Sequence, residues 1–263
     1  MTESPAPRLL RHENGAVARL VLNRPAAGNS LSFELAADLR AALADLAERR
    51  DIKVIIISGA GGRIFCAGHD LNEFTGDPDP AFLEQDFDGL GALMQAVMNA
   101  PQIVIAEVTG VATAAGCELV AACDLALAAS TARFATPGVN IGFWCHTPQI
   151  QLSRNIGRKA AMLMLATGEL FPASHARDIG LINAVHDPDD LPAAVDALAA
   201  RIASKSAATL ARGKRSFNAQ AAMSVPDAYC FAKAEAIANV AHADAKEGIA
   251  AFLEKRPPQW EDG

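Results

Sequence analysis

The sequence predicts an α/β fold in which strand–strand–helix units follow one another and a helical C-terminal third closes the chain. Three observations predict it. Two extended stretches followed by a helical one recur over residues 8–49, over 51–74 with the helix from 82, and over 101–122. The second and third of these units each pass from an extended stretch into a helix start through very small residues, Cys66-Ala67-Gly68 and Ala112–Gly116. Beyond Asp187 the apolar spacing is helical, and no Gly/Ser-rich linker separates the two parts. The expected organisation is therefore a core over 1–187 and a helical subdomain over 188–263.

Each element has a local reason. Residues 1–7 are expected to be irregular. Leu9–Glu13 and Val17–Asn23 form a hairpin around Asn14-Gly15, a strong two-residue turn signal. Ser32 caps a helix over Phe33–Arg49, whose stripe is Leu35, Leu39, Leu43 and Leu46. Val54–Ser58 is apolar almost throughout, the mark of a strand buried on both faces. Ile64–Cys66 is extended, and Asp70 caps the helical turn after it. A helix over Phe82–Asn99 ends before Pro101, and the strand Ile103–Val108 leads to the helix that carries Glu118. Leu125–Ala129 and Ala132–Ala135 are strands, and Thr136–Thr147 is an irregular loop. Helices are expected over Ile150–Ile156, Lys159–Thr167 and Ala173–Ile179, then a strand over Leu181–Val185. Leu191–Ser204, Ala207–Ala221, Pro226–Ala241 and Ala245–Lys255 complete the helical third.

Composition narrows the function classes. The 263 residues are 51% hydrophobic but only 5% aromatic, so the core is largely Ala, Leu, Ile and Val. A net charge of −7 argues against a general nucleic-acid or membrane-surface protein, though an anionic small ligand needs only local positive charge. The first ten residues, MTESPAPRLL, carry no apolar run of a secretory leader, and charged or amide residues interrupt every apolar stretch before membrane-spanning length. Five scattered cysteines without C-x-x-C spacing read as reduced thiols, with no disulfide framework and no zinc site. The expected setting is cytoplasmic.

The two small-residue junctions carry the chemistry. The first N–H groups of a helix have no internal partner and carry partial positive charge. A junction built of small residues lets another molecule approach that backbone. One such junction is also what tight packing produces; two of them side by side would aim one N–H each at a single oxygen, an oxyanion hole. A thioester carbonyl is a fitting client, because it enolises once its oxygen is held. Glu118, just inside the second helix start, lies within reach of such a group. Cys117 beside it has no histidine nearby in sequence and reads as a small buried thiol.

Longer motifs add a resemblance. IFCAGHDLNEF at 64–74 resembles the F-[CS]-A-G-x-D-[LI]-x-E signature of the enoyl-CoA hydratase/isomerase (crotonase) superfamily. GVATAAGCELVAACDLALAASTARFATPGVNIG is similar to that family's second block, and KEGIAAFLEKRPPQW to its closing helix. LVLNRP at 20–25 and ATGELFPASHARDIGLIN at 166–183 match as well, so nearly the whole chain is covered. The resemblance implies a crotonase-like ββα superhelix that binds acyl-CoA, with C-terminal helices that cover the CoA pocket and build trimers or dimers of trimers. It implies no separate cofactor, since coenzyme A is part of the substrate.

By the same resemblance, the backbone N–H groups of His69 and Ala115 are the oxyanion donors, and Glu118 is the first of two hydratase carboxylates. The family has Gly where Ala115 stands. Its second carboxylate lies in a P-E segment that reads Thr136-Pro137-Gly138 here, so Gly138 leaves that position empty. Asn72 stands where a lysine often follows the signature. Arg24 matches a cation near the nucleotide phosphates. Ala67, Gly68, Asp70, Leu71, Gly116, Gly138, Trp144 and His146 are the further substrate-binding candidates, with the His69 side chain read as a pocket wall. Water addition to a 2-enoyl-CoA is the expected reaction. Isomerisation, thioester hydrolysis or decarboxylation using Glu118 alone is the alternative, and a CoA-binding protein with weak catalysis is a third.

Overall fold

Residues 6–261 are described in the structure, a computed structural model. Most of the expected irregular stretch 1–7 lies outside the described residues. The first unit is the hairpin β1 (Leu9–Asn14) and β2 (Val17–Leu22) followed by α1 (Phe33–Ala47). Asn14 pairs with Val17, so Gly15 and Ala16 form the turn, one residue later than Asn14-Gly15 predicts, and Gly15 takes the left-handed backbone at φ +57°. Ser32 caps α1 as expected, its hydroxyl accepting from the Leu35 N–H at 3.3 Å. The second unit is β3 (Val54–Gly59), β4 (Ile64–Cys66) and α2 (Pro80–Asn99). The third is β5 (Ile103–Val108), β6 (Val111–Thr113) and α3 (Ala115–Ala122). A fourth turn of the same pattern follows: β7 (Leu125–Ala129), β8 (Arg133–Ala135) and α4 (Pro148–Asn155). The chain then runs through α5 (Arg158–Thr167), β9 (Phe171–Pro172), α6 (Ala173–Asp178), β10 (Ala184–His186) and α7 (Leu191–Ala203). It ends in α8 (Ala207–Gln220), α9 (Val225–Val240) and α10 (Ala243–Glu254).

The first strand of each unit builds one sheet and the second strand builds another. The larger sheet has the order β1-β2-β3-β5-β7-β10, and the smaller has β4-β6-β8-β9. This is the ββα superhelix. β3 is buried on both faces, as its unbroken apolar run predicts: Ile55 and Ile57 join the main core with α1 to α3, while Val54 and Ile56 face Leu191, Val195 and Ala199 of α7. The strands at 111–113 and 171–172 are too short for a periodicity to reveal them. The strand expected over Leu181–Val185 forms three residues later. Leu181 and Ile182 are pulled into the core instead, and Asn183 turns the chain, its Oδ1 accepting from the Ala126 N–H at 2.8 Å.

The helical third is pinned to the core by a buried lysine. Lys214 of α8 pairs with Asp124 at 2.7 Å and donates to the Val97 and Gln102 carbonyls at 3.0 Å each. Asp124 also accepts from the Val104 N–H at 2.7 Å, so its job is to tie backbone, as its position at a helix end predicts. α9 buries no residue, and Phe217, Val225, Tyr229, Ile237 and Phe252 stand exposed on α8 to α10.

Candidate active site

β4 and β6 run parallel with Cys66 opposite Ala112, and this register brings the two small-residue junctions together. They touch so closely that only glycine fits at the seam. A Cβ on Gly116 would lie 2.2 Å from the Cys66 carbonyl oxygen, and one on Gly68 would lie 3.1 Å from the Ala115 nitrogen. Gly68 also needs its φ of +98°. The Thr113 hydroxyl locks the seam by donating to the Ala67 carbonyl at 2.9 Å. On either side of each predicted donor the backbone is engaged: Ala67 donates to Gly28, Asp70 to Leu31, Ala114 to Ala135 and Glu118 to Ala114. The N–H groups of His69 and Ala115 meet no acceptor among the described residues.

The helix begins at Ala115, two residues earlier than the start at Cys117 that the small-residue run suggests, so Glu118 lies in its first turn. The turn into it is strained. Ala114 has φ +49° and ψ −121°, a backbone that glycine adopts freely and alanine does not. The backbone strain at this junction therefore falls on Ala114, not on Ala115.

A cavity of about 230 Å³ opens onto the junctions, walled by Ala67, His69, Ala114, Ala115, Gly138 and Cys145. Its rim is apolar, with Leu71, Ile141 and Phe143 exposed. A larger hollow of about 360 Å³ lies under the α1 C-terminus and contains neither junction. Glu118 does not itself line the cavity but lies behind its wall, 2% exposed, beside the cavity-lining Thr147. Its Oε2 has no hydrogen-bond partner among the described residues. Burial pushes its carboxyl up from the usual 4.5 to about 7, with the Thr147 side chain pulling the other way. A buried carboxyl with one oxygen unpartnered, poised near neutrality, is the state a proton-transfer group needs.

At position 138 there is no room for a second carboxylate. A Cβ there would lie 2.1 Å from the Phe143 carbonyl oxygen and 3.0 Å from Cys145 Sγ. The irregular loop expected over Thr136–Thr147 contains a 3₁₀ turn, Pro137–Ile141, that sets this up. Phe143 N–H donates to the Gly138 carbonyl at 2.9 Å and closes the loop on itself.

The other candidates separate into those the cavity gathers and those it does not. The His69 ring is a wall, as expected: it lies between Phe74 and Phe87, with centroids 5.1 and 5.2 Å away, and Nε2 sits 2.9 Å from Asp86 without the alignment of a hydrogen bond. His146 and Leu71 reach the rim. Asp70 caps the turn Leu71–Phe74, its carboxylate accepting from Asn72 N–H; burial raises its pKa, but Arg24 and the Asn72 hydrogen bonds together outweigh it, so its pKa lies below the usual range. Arg24 is committed to that contact, 2.8 Å from Asp70, and to the Ser30 carbonyl. Trp144 turns away from the cavity, donating its indole N–H to Gln149 at 2.9 Å. Cys117 is fully buried and burial pushes its thiol up to about 12, in keeping with an inert packing group. Asp86 and Phe87 lie in no motif, and only the tertiary fold places them beside His69.

Comparison with known proteins gives these residues a family. The model of the enoyl-CoA hydratase/isomerase family matches residues 12–263. The chain is 41% identical, over 97% of its length and 85% of the relative's, to "Enoyl-CoA hydratase domain-containing protein 3, mitochondrial" of Rattus norvegicus. It is 32% identical over 96% of its length and 97% of the relative's to a probable enoyl-CoA hydratase of Mycobacterium tuberculosis. Among solved structures, an enoyl-CoA hydratase of Mycobacterium smegmatis superposes with a TM-score of 0.94 at 43% identity, covering 97% of this chain and 99% of that one. Human enoyl-Coenzyme A hydratase domain-containing protein 3 superposes equally well, at 0.94 and 38% identity, covering 97% of this chain and 100% of that one. These relatives correct the cytoplasmic expectation. The domain-containing protein 3 of fish, rat, frog, mouse and human each carries "mitochondrial" in its name. Free thiols mark a reducing setting without saying which one. The absence of an apolar leader is equally uninformative, because mitochondrial transit segments are amphipathic and Arg-rich.

Proposed function

The chain belongs to the enoyl-CoA hydratase/isomerase family, and on that premise we propose that its cavity takes an acyl-CoA thioester and forms the enolate, with Glu118 as the single carboxyl that moves protons. The observation that carries this reading is Glu118, its Oε2 unpartnered and its pKa pushed up to about 7 by burial, in the first turn of the helix that supplies one of two N–H groups that meet no acceptor among the described residues. The N–H groups of His69 and Ala115 hold the thioester oxygen as it gains charge, each donor worth roughly 3–4 kcal/mol in the transition state. The apolar rim at Leu71, Ile141 and Phe143 receives the acyl chain. Arg24, tied to Asp70 and the Ser30 carbonyl, holds the turn after β4 and does not itself grip phosphate.

Hydration by two carboxylates is not open to this chain, because position 138 admits no side chain. That favours the wider group of enolate reactions: isomerisation, thioester hydrolysis, decarboxylation, or hydration with the α-proton from a group other than a carboxylate. The exposed apolar residues of α8 to α10 support assembly into trimers through that face, with 188–263 acting as the assembling and pocket-covering part. Light scattering gives the assembly directly.

The test is a comparison of the parent with Glu118→Gln. Crotonyl-CoA and a longer 2-enoyl-CoA are followed by absorbance and mass, and α-hydrogen exchange of butyryl-CoA is followed in D₂O. The parent is expected to exchange, and the variant to lose 10²-fold or more, on the order of a general acid–base contribution. Equal exchange in both would overturn the role of Glu118. A parent that binds butyryl-CoA but turns over nothing would favour a binding protein.

A further inference from the structure

Resting on the acyl-CoA reading above, we propose that Cys145 is a second catalytic residue of the cavity, the thiol that delivers a proton to the α-carbon of the enolate from the place where residue 138 has no side chain. Its Sγ is 3.0 Å from where a Cβ on Gly138 would stand. The thiol therefore fills the space the empty position leaves. It lines the cavity although the residue is only 4% exposed, so the proton it carries is shielded from bulk water.

The other titratable groups lining the cavity are His69 and His146. The His69 ring is packed edge-on against the Phe74 and Phe87 rings, with Nε2 2.9 Å from Asp86. His146 is exposed at the rim, edge-on to Phe143. Cys145 alone is buried against the junctions. A second, independent observation points to the same spot. The Glu118 carboxyl, 2% exposed, has an oxygen without a partner among the described residues, and its neighbours Thr147 and Cys145 both face the cavity.

The thiol is arranged to donate. Burial pushes its pKa up and the Glu118 charge adds to that, while the Gly138 N–H at the sulfur pulls the other way. It is held protonated at neutral pH, a proton source and not a thiolate nucleophile. Cys145 lines the cavity, which sets its S–H against a bound substrate. In hydration, the Glu118 carboxylate takes a proton from water as the water oxygen bonds to the β-carbon and the electron pair moves onto the thioester oxygen. The enolate collapses, the S–H bond of Cys145 breaks, and a C–H bond forms at the α-carbon. The Glu118 carboxyl then returns its proton to the neighbouring thiolate. Thiol and carboxylate are restored, and the net change is one added water.

The experiment compares the parent with Cys145→Ala and Cys145→Ser, reading α-hydrogen exchange of butyryl-CoA in D₂O by mass and its affinity by calorimetry. Exchange requires only the enolate, so it does not depend on which final reaction the enzyme performs. Both variants are expected to exchange about 10²-fold or more slowly than the parent, with affinity unchanged. The serine variant keeps the volume, so the test survives if the alanine variant fails to fold, and its hydroxyl is too weak an acid to replace the thiol. A folded variant that exchanges at the parent rate overturns the role of Cys145 and leaves the acyl-CoA reading standing. A parent that binds butyryl-CoA without exchanging it overturns both.

Discussion

Gly138→Glu is the substitution that the family pattern invites and the structure forbids. It would supply the missing carboxylate in sequence terms. In space, the new Cβ would start 2.1 Å from the Phe143 carbonyl oxygen, against 3.4–4 Å for ordinary contact. The loop from Pro137 to Phe143 must therefore shift by more than about 1 Å in a close-packed surrounding. Overpacking of this kind costs about 1–3 kcal/mol. The shift also loosens the 2.9 Å hydrogen bond from Phe143 N–H to the Gly138 carbonyl, about 0.5–1.5 kcal/mol more. The expected loss is about 2–4 kcal/mol, on the order of 10 °C in melting temperature for a chain of this size. Gly138→Ala should show most of that loss without the added charge. Thermal melts of both variants, with crotonyl-CoA hydration alongside, make the assay. A Gly138→Glu enzyme that melts with the parent and hydrates faster would refute the reasoning, since the loop would then accommodate the carboxylate.

Four further outcomes follow from the same contacts. Because the Glu118 carboxyl is raised from 4.5 to about 7, exchange activity that needs its carboxylate should rise with pH through a midpoint near 7, and the rate profile checks it. The same shift acts on stability. The folded chain keeps a proton that the unfolded chain releases above pH 4.5, so stability is fullest below that value and falls until pH passes 7, by on the order of 3 kcal/mol, whereas Glu118→Gln should show no such fall in paired melts. Ala114→Gly should stabilise by on the order of 1 kcal/mol in urea unfolding, the relief of a strained φ of +49° less the entropy of a freer unfolded chain. Lys214→Met should cost about 1–3 kcal/mol by leaving the Val97 and Gln102 carbonyls without their buried donor, and the α8 amides should lose protection in hydrogen exchange.

What the sequence made legible was whatever depends on near neighbours. The run Val54–Ser58 announces a strand buried on both faces, Ser32 announces the start of α1, and Asp70 announces the cap of the turn that follows it. The two junctions were legible because small residues at a strand end are unusual enough to ask for a reason. What escaped depends on residues brought together from far apart. Asp86 meets His69 only because α2 packs over that junction. Trp144 and Cys145 are adjacent in sequence, yet one turns toward Gln149 and the other toward the cavity, a choice made by the 3₁₀ turn at Pro137–Ile141. The Gly-to-Ala departure was assigned to 115, whereas the backbone strain falls on 114, because the residue before the helix, not the first in it, makes the turn.

The seam between the junctions explains why packing and chemistry are one problem in this fold. Gly116 lies against the Cys66 carbonyl and Gly68 against the Ala115 nitrogen, so any side chain at either place pushes β4 away from α3. That movement would separate the N–H of His69 from that of Ala115, and a donor displaced from hydrogen-bond distance loses most of its hold on an oxyanion. It would also alter the wall beside Glu118, whose raised pKa comes first from burial. The oxyanion donors and the proton carrier are therefore not independent features. Both follow from how closely the end of β4 meets the start of α3, and Ala114 holds a strained backbone at that meeting point.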